Sequence, residues 1–216
     1  MTMKTKITRR NFNRILGVSG GGLLVTPVIV DAGIASPPQT EGPFYPIGEQ
    51  ADMDMDLTQI QGRVDRAIGK VVQVRGRVLD VDGNTVEGAT VDVWQANHFG
   101  RYSHPDDTSP NQLDPNFQGW GIVQTGAGGT YSFKTILPGP YDVSETDARC
   151  SHIHFKVTHP DRASLTTQMY FEGDPLIAID IVMKDTPEEL RPLLIATQMA
   201  SKDEEMSVYQ WDIVLG

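Results

Sequence analysis

The fold is decided by the stretch KVVQVRGRVLDVDGN, residues 70–84, in which apolar and polar residues alternate up to an Asp-Gly-Asn turn. Val72, Val74 and Val78 are an even number of residues apart, so a strand presents them on one face. Strand-like segments closed by Gly, Pro or Asp recur at residues 90–94, 130–134, 153–157, 168–171 and 208–215. Short strands between turns predict a mainly β, single-domain β-sandwich.

One helix and one arm complete this predicted architecture. Thr186-Pro187-Glu188-Glu189 is typical of a helix start, with an N-cap threonine and a proline in the first helical position. The sequence therefore predicts a short helix near the C-terminus, which Pro192 should kink or shorten. Residues 36–69 are rich in Pro, Gly and acidic side chains and predict an extended arm around a core at residues 70–216.

Composition excludes some classes of protein. The hydrophobic fraction of 39% with 21% charged residues is ordinary for a globular domain. The net charge is −10 and no Lys/Arg-rich stripe follows the N-terminus, so no nucleic-acid partner is expected. Cys150 is the only cysteine in the sequence, which excludes an internal disulfide.

Residues 1–35 predict an export signal that is removed. Basic residues precede a mildly apolar stretch that ends in small residues. Thr8-Arg9-Arg10-Asn11-Phe12 resembles a twin-arginine motif, with Asn13 in place of the usual apolar residue. Glycines and Pro27 argue against a spanning helix, so the mature chain is expected to be exported, to the periplasm, without a stable membrane span. A disordered basic tail or a short membrane anchor is the alternative.

Two tyrosines and a His-x-His pair suggest a metal site: Tyr102, Tyr141, His152 and His154. Residues two apart on a strand share a face, so both imidazoles can converge on one ion. Phenolate is a hard donor, and free tyrosine titrates near pH ~10. Only a strongly Lewis-acidic ion would keep two tyrosines deprotonated at neutral pH, and ferric iron is the natural candidate. The alternatives are core tyrosines with surface hydroxyls and a pair of solvated strand histidines.

The motifs around these residues resemble those of the intradiol ring-cleaving dioxygenase family. The matching segments are residues 88–97 with 100–102, 137–141 and 152–155. Residues 168–176 and 209–215 are similar to the β chains of protocatechuate 3,4-dioxygenases. The resemblance extends from about Thr40 to the C-terminus and includes all four candidate ligand positions in order.

This resemblance implies an activity and a cofactor. The chain would bind non-haem Fe(III) through Tyr102, Tyr141, His152 and His154. It would cleave a catechol-type ring with O2 between the two hydroxylated carbons and yield a muconate-type diacid. Tyr141 is the ligand expected to be displaced by the substrate and to accept a proton from it.

The resemblance also implies a substrate pocket. Arg149 is expected beside the substrate, where its charge would stabilise an electron-rich ring carbon. Gly42, Pro43 and Gln168 are expected to line the same pocket, since a Gly-Pro turn lets the main chain approach a flat ring closely. The alternatives are a salt-bridged loop arginine, a rigid turn and a strand amide bonded to the backbone.

Three questions stay open from the sequence. The alternative function is a non-catalytic, transthyretin-like β-sandwich binding module that keeps the metal site, and a zinc hydrolase is a further rival because two histidines suit zinc. Val143 stands where the related β chains have a tryptophan, within a shorter and more acidic stretch, so the ring substituent is open. A homo-oligomer and an assembly with an α-type partner chain are both compatible with the sequence.

Overall fold

The computed structural model describes residues 33–48, 54–203 and 206–216, and these form a mainly β architecture with little helix. The strands are β1 (Val71–Asp80), β2 (Thr90–Trp94), β3 (Trp120–Gln124), β4 (Thr130–Ile136), β5 (Tyr141–Asp142), β6 (Ala148–Arg149), β7 (His152–His159), β8 (Arg162–Phe171), β9 (Ile195–Met199), β10 (Ser207–Gln210) and β11 (Ile213–Leu215). Helix α1 is Ile181–Asp185, and 3-10 helices lie at Ala127–Gly129, Pro175–Ala178 and Arg191–Leu194. The mainly β prediction is confirmed.

The strands of the main sheet follow the order β11-β1-β10-β9-β8-β7-β2-β3, with β4 paired to β1, while β5 and β6 form a separate ribbon. No helix among the described residues is long and apolar enough to cross a membrane. The export signal predicted over residues 1–35 lies, up to residue 32, outside the described residues.

Strand β1 confirms the pattern that opens the sequence argument, because Val72, Val74 and Val78 are fully buried. It pairs antiparallel with β4 and parallel with β10 and β11. A Cβ at Gly76 would lie 1.7 Å from the Trp211 carbonyl oxygen, so only glycine fits this close approach.

Strand β7 positions the site because its side chains alternate between two faces. Ile153, Phe155 and Val157 point into the apolar core, while His152 and His154 lie on the opposite face. Antiparallel neighbours enclose the strand, β2 on one side and β8 on the other. Both imidazoles are therefore held inside a sheet rather than at its edge.

Helix α1 lies earlier in the chain than the sequence predicts. The Asp180 carboxylate accepts hydrogen bonds from the backbone N–H of Val182 at 3.0 Å and of Met183 at 2.9 Å, so Asp180 is the N-cap. Thr186, the predicted start, instead ends the helix by donating its N–H to the Met183 carbonyl. The predicted start is wrong because Thr186 is occupied as the C-cap of α1 with extended backbone, and only a turn and the 3-10 helix Arg191–Leu194 follow it.

The segment before β1 contacts the sheet directly. Ser36 exchanges two hydrogen bonds of 2.9 Å with the backbone of Val214 in β11. The Gln39 N–H donates to the Thr166 carbonyl in β8 at 2.9 Å. These bonds bring the following residues, 40–42, over the face of β7 that carries the histidines. The arm over residues 36–69 and the two layers of a sandwich stay predictions.

Candidate functional site

The four candidate ligands lie together in one buried cluster around the Tyr102 hydroxyl. His152 Nε2 is 3.3 Å and His154 Nε2 3.1 Å from this oxygen. The Tyr141 ring centroid is 5.9 Å from that of Tyr102 and 5.8 Å from that of His152. Two phenols and two imidazoles thus converge, although their role as metal ligands stays a prediction.

The loops that carry the two tyrosines meet through a glycine. Gly100 has a φ of +77°, and a Cβ there would lie 2.4 Å from the Pro140 carbonyl oxygen and 3.1 Å from Cβ of Tyr141. The Tyr102 N–H donates to the Asp107 carboxylate at 2.7 Å, which fixes the backbone after this contact. Glycine at this position is therefore required for both phenols to reach the same space.

The two imidazoles are buried in a form suited to metal binding. Burial, reinforced by the positive charge of Arg149, lowers the pKa of His152 well below 6.5. Burial and then His152 lower the pKa of His154 in the same direction. Both rings are therefore neutral at pH 7. His152 Nδ1 lies 2.7 Å from the Cys150 carbonyl and must donate to it, so Nε2 presents its lone pair to the cluster.

The two phenols are held neutral by their surroundings. Burial raises the pKa of Tyr102 well above 10, and the neighbouring Tyr141 raises it further. Burial also raises the pKa of Tyr141, against the opposing positive charge of Arg149. Tyr102 is almost fully buried whereas Tyr141 is only partly so, which makes Tyr141 the more accessible phenol. Deprotonating both at neutral pH requires a strong cation among these four side chains.

Arg149 is fixed beside the cluster by a buried ion pair. It is 5% exposed and lies opposite Tyr141 in the β5–β6 ribbon. Its Nε donates to the fully buried Asp180 carboxylate at 2.9 Å, and its Nη2 donates to Oε1 of Gln168. Burial lowers the pKa of Arg149, but the charge of Asp180 raises it and prevails, so the cation is retained. In the described part of the chain no group accepts from Nη1, which leaves that atom open to a ligand.

The other predicted pocket residues, Gly42, Pro43 and Gln168, differ in exposure and in their contacts. Gly42 lies against the His154 ring, since a Cβ at Gly42 would be 3.4 Å from Cε1 of His154. Pro43 is exposed. The Gln168 amide is used at both ends, because it also donates to the Thr40 carbonyl at 2.9 Å. In this structure Gln168 therefore bridges Arg149 and the segment over β7.

Asp180 and Trp94 belong to the site but were not singled out from the sequence. Asp180 also accepts the Cys150 N–H at 2.9 Å, so it joins β6, the chain leading into β7, and α1. Its one sequence signal is an aspartate just before an apolar run, typical of an N-cap.

Trp94 stacks on His154 with ring centroids 4.8 Å apart and planes 11° from parallel. The period of β2 places it on one face, but periodicity alone does not identify what that face contacts.

A cavity of about 490 Å³ borders the cluster on one side. Its lining includes Phe44, Trp94, Tyr102, Phe117 and Trp120 but none of Tyr141, Arg149, His152 and His154. The size suits a small aromatic molecule. Within the described ranges, no group of three or more His, Cys, Asp or Glu side chains is arranged to hold a metal, so the Tyr–His cluster is the candidate.

Residues 40–216 match the protein family Dioxygenase_C, described as dioxygenase. A protocatechuate 3,4-dioxygenase beta chain from Burkholderia cepacia is 42% identical over 178 residues, 80% of this chain and 76% of that protein. Catechol 1,2-dioxygenase 1 from Acinetobacter lwoffii is 38% identical over 73% of this chain, which spans 52% of that protein.

A solved structure has the same fold. It is the dioxygenase domain of a dioxygenase carbohydrate-binding protein fusion from Streptomyces sp. SirexAA-E, with a TM-score of 0.63 and 27% identity over 84% of this chain and 98% of that one. Fold and sequence together define a dioxygenase. Among dioxygenases, the chain belongs to the intradiol ring-cleavage family.

The buried ion pair generates a prediction about stability. Asp180→Asn keeps an oxygen that can cap α1 but removes the charge facing Arg149, so we expect about 3 kcal/mol or more to be lost from the free energy of unfolding. Urea unfolding measures it. The matched control is Glu41→Gln, which breaks the half-exposed pair with Lys156 and should cost about 1 kcal/mol or less. Equal losses in the two variants would contradict the anchoring role of Asp180.

Proposed function

We propose that the chain is a non-haem Fe(III)-dependent intradiol dioxygenase that cleaves a catechol-type ring with O2. Cleavage falls between the two hydroxylated carbons and gives a muconate-type diacid. The observation that carries this proposal is the convergence of both imidazole Nε2 atoms on the Tyr102 hydroxyl, with Tyr141 beside them. Membership of the intradiol family and the names of its relatives support it.

The donor set fits ferric iron. Tyr102, Tyr141, His152 and His154 would hold it through two neutral nitrogen donors and two phenols that need a strong cation to lose their protons. When bound, Fe(III) supplies the Lewis acidity that keeps phenol and catechol oxygens deprotonated and activates the ring toward O2. Zinc sites, by contrast, are built mainly from Cys, His and carboxylate ligands.

The two tyrosines have different surroundings, which supports different roles. Tyr102 is enclosed, and its hydroxyl contacts both histidines, so it is the fixed phenol. Tyr141 is partly exposed in the β5–β6 ribbon. We infer that Tyr141 gives way to the incoming catechol and that its phenolate oxygen accepts a proton from the substrate.

Arg149 is placed to stabilise negative charge on the substrate ring. Asp180 and Gln168 hold its Nε and Nη2, so the guanidinium needs no rearrangement when charge develops. Among the described residues nothing accepts from its Nη1, and the group lies opposite Tyr141, whose phenol it favours in the ionised form. Gly42, with the exposed Pro43 beside it, would cover His154, and Gln168 would hold this segment through the Thr40 carbonyl.

The finer architecture and assembly are also proposals. We infer a single-domain β-sandwich with its core at residues 70–216 and an arm at residues 36–69. The bonds of Ser36 and Gln39 to β11 and β8 support the arm. One relative is named a beta chain, which supports an α-type partner chain, and a homo-oligomer is the other arrangement.

The proposed activity is tested on purified protein loaded with iron. The protein should be red to burgundy with about one iron per chain, because phenolate-to-iron charge transfer absorbs visible light. Catechol, protocatechuate and hydroxyquinol are then incubated under labelled O2, and mass spectrometry should find a colourless muconate-type diacid with label incorporated. A yellow semialdehyde would place cleavage outside the two hydroxylated carbons. Iron-loaded protein that turns over no catechol would favour the non-catalytic binding module.

Phenylalanine variants separate the two tyrosines. Tyr102→Phe should retain less iron, because it removes the fixed phenol. Tyr141→Phe should retain more iron but bind catechol more slowly, because no phenolate is left to accept the substrate proton. Tyr131→Phe is the control, since its buried hydroxyl donates to the Trp211 carbonyl away from the site. Iron content and stopped-flow binding measure these effects, and identical behaviour of the two site variants would contradict the roles.

We further propose export through a twin-arginine signal over residues 1–35, which leads to the periplasm. Arg9→Lys combined with Arg10→Lys should keep the precursor in the cytoplasm. The control is Lys4→Arg with Lys6→Arg, which preserves charge and leaves the arginine pair intact. Cell fractionation with an antibody measures both, and an unchanged distribution of the Arg9/Arg10 variant argues against this route without affecting the proposed chemistry.

A further inference from the structure

The two histidines of the cluster are held in different ways. His152 Nδ1 is tied to the Cys150 carbonyl at 2.7 Å, the usual means of orienting a metal-binding imidazole. His154 Nδ1 is buried, and in the described part of the chain no acceptor meets it in full hydrogen-bond geometry. Burial dominates the lowered pKa of His154, and a backbone hydrogen bond with Thr40 opposes it. Among the described residues this contact falls short of the geometry of a directional hydrogen bond to Nδ1. A contact stronger than this weak hydrogen bond is therefore needed to fix the orientation of the ring.

Trp94 is the group in contact with the face of His154. The two residues are directly opposite each other in the β2–β7 ladder, and their rings are stacked at 4.8 Å with an interplanar angle of 11°. Trp94 is 1% exposed, and within residues 33–48, 54–203 and 206–216 its Nε1 has no hydrogen-bond partner. The indole therefore contributes to this cluster through its ring face rather than through its polar atom.

A second set of contacts holds Trp94 in place. The Tyr45 ring meets it edge-on at 5.0 Å and 82°, and the Tyr45 hydroxyl donates to the Asp92 carboxylate at 2.6 Å. The other Asp92 oxygen accepts from Trp120 Nε1 at 2.7 Å. The Lys156 ammonium lies 4.7 Å from the centroid of the Tyr45 ring. Tyr45 thus connects a polar network near the surface to the stacked pair.

We propose that Trp94 is the positioning residue of His154, and that its ring face does for His154 what the Cys150 carbonyl does for His152. An imidazole that binds a metal cation gains positive charge, and the face of a tryptophan is the best aromatic partner for such charge within about 6 Å. Stacking also limits rotation of the imidazole, so Nε2 stays directed at the Tyr102 oxygen. This inference rests on the proposed metal site but assigns a role to a residue that does not itself reach the metal.

The test replaces the ring and measures iron affinity rather than turnover. Trp94→Leu removes the aromatic face and should weaken iron binding about 10- to 100-fold in competition with a chelator, the range typical for loss of a partner of a metal ligand. It should also shift the visible charge-transfer band, since the geometry around Tyr102 changes. Trp94→Phe keeps a smaller face and sacrifices no hydrogen bond, so its iron affinity should lie between those of wild type and Trp94→Leu.

The matched control is Trp211→Leu, which also removes a buried tryptophan, one whose Nε1 donates to the Leu193 carbonyl away from the cluster. It should lower stability while leaving iron affinity and the absorption band unchanged. If Trp94→Leu does not fold, Tyr45→Phe, which removes only the bond to Asp92, should still shift the band. Wild-type affinity and band in every folded Trp94 and Tyr45 variant would overturn the positioning role. Failure of the wild type to bind iron would instead overturn the proposed function.

Discussion

The two-residue period of β7 is the constraint on which the rest of the site depends. Ile153 and Phe155 anchor one face in the core, and this leaves His152 and His154 no direction except the opposite face. A shift of one residue in the pairing with β2 or β8 would bury both imidazoles in the core and expose the apolar side chains. The same hydrophobic burial that stabilises the sheet therefore sets the position of two of the four candidate ligands.

The electrostatics of the site depend on Asp180. Buried charges are costly unless they are paired, and without Asp180 the Arg149 cation would be buried without its carboxylate partner, at a large cost in stability. Asp180 also caps α1, so the helix, the β5–β6 ribbon and the guanidinium share one anchor. Because Gln168 connects Arg149 to the Thr40 carbonyl, the position of the segment over β7 is coupled to the same anchor.

The sequence predicted what depends on local order along the chain. The alternation at Val72, Val74 and Val78 predicted β1, and the His-x-His spacing predicted that both imidazoles lie on one face of β7. The start of α1 could not be separated from a competing signal, since Thr186 and Asp180 both have cap chemistry and only tertiary contacts decide between them. The role of Trp94 could not be predicted for a related reason. Its stacking partner, His154, is sixty positions away in the chain, and ring stacking leaves no pattern in the sequence.

The difference in burial between the two tyrosines suggests separate roles for them. Tyr102 and His154 are almost fully buried, their Oη and Nε2 atoms are 3.1 Å apart, and Trp94 stacks on the His154 ring. Tyr141 lies on a short two-stranded ribbon outside the main sheet, and its side chain is partly exposed. A site that must hold its metal while exchanging one ligand for a substrate needs this asymmetry, and a fully buried set of four could not provide it. The main sheet holds the two histidines in fixed positions, and the β5–β6 ribbon outside it carries Tyr141, the ligand candidate that can be replaced.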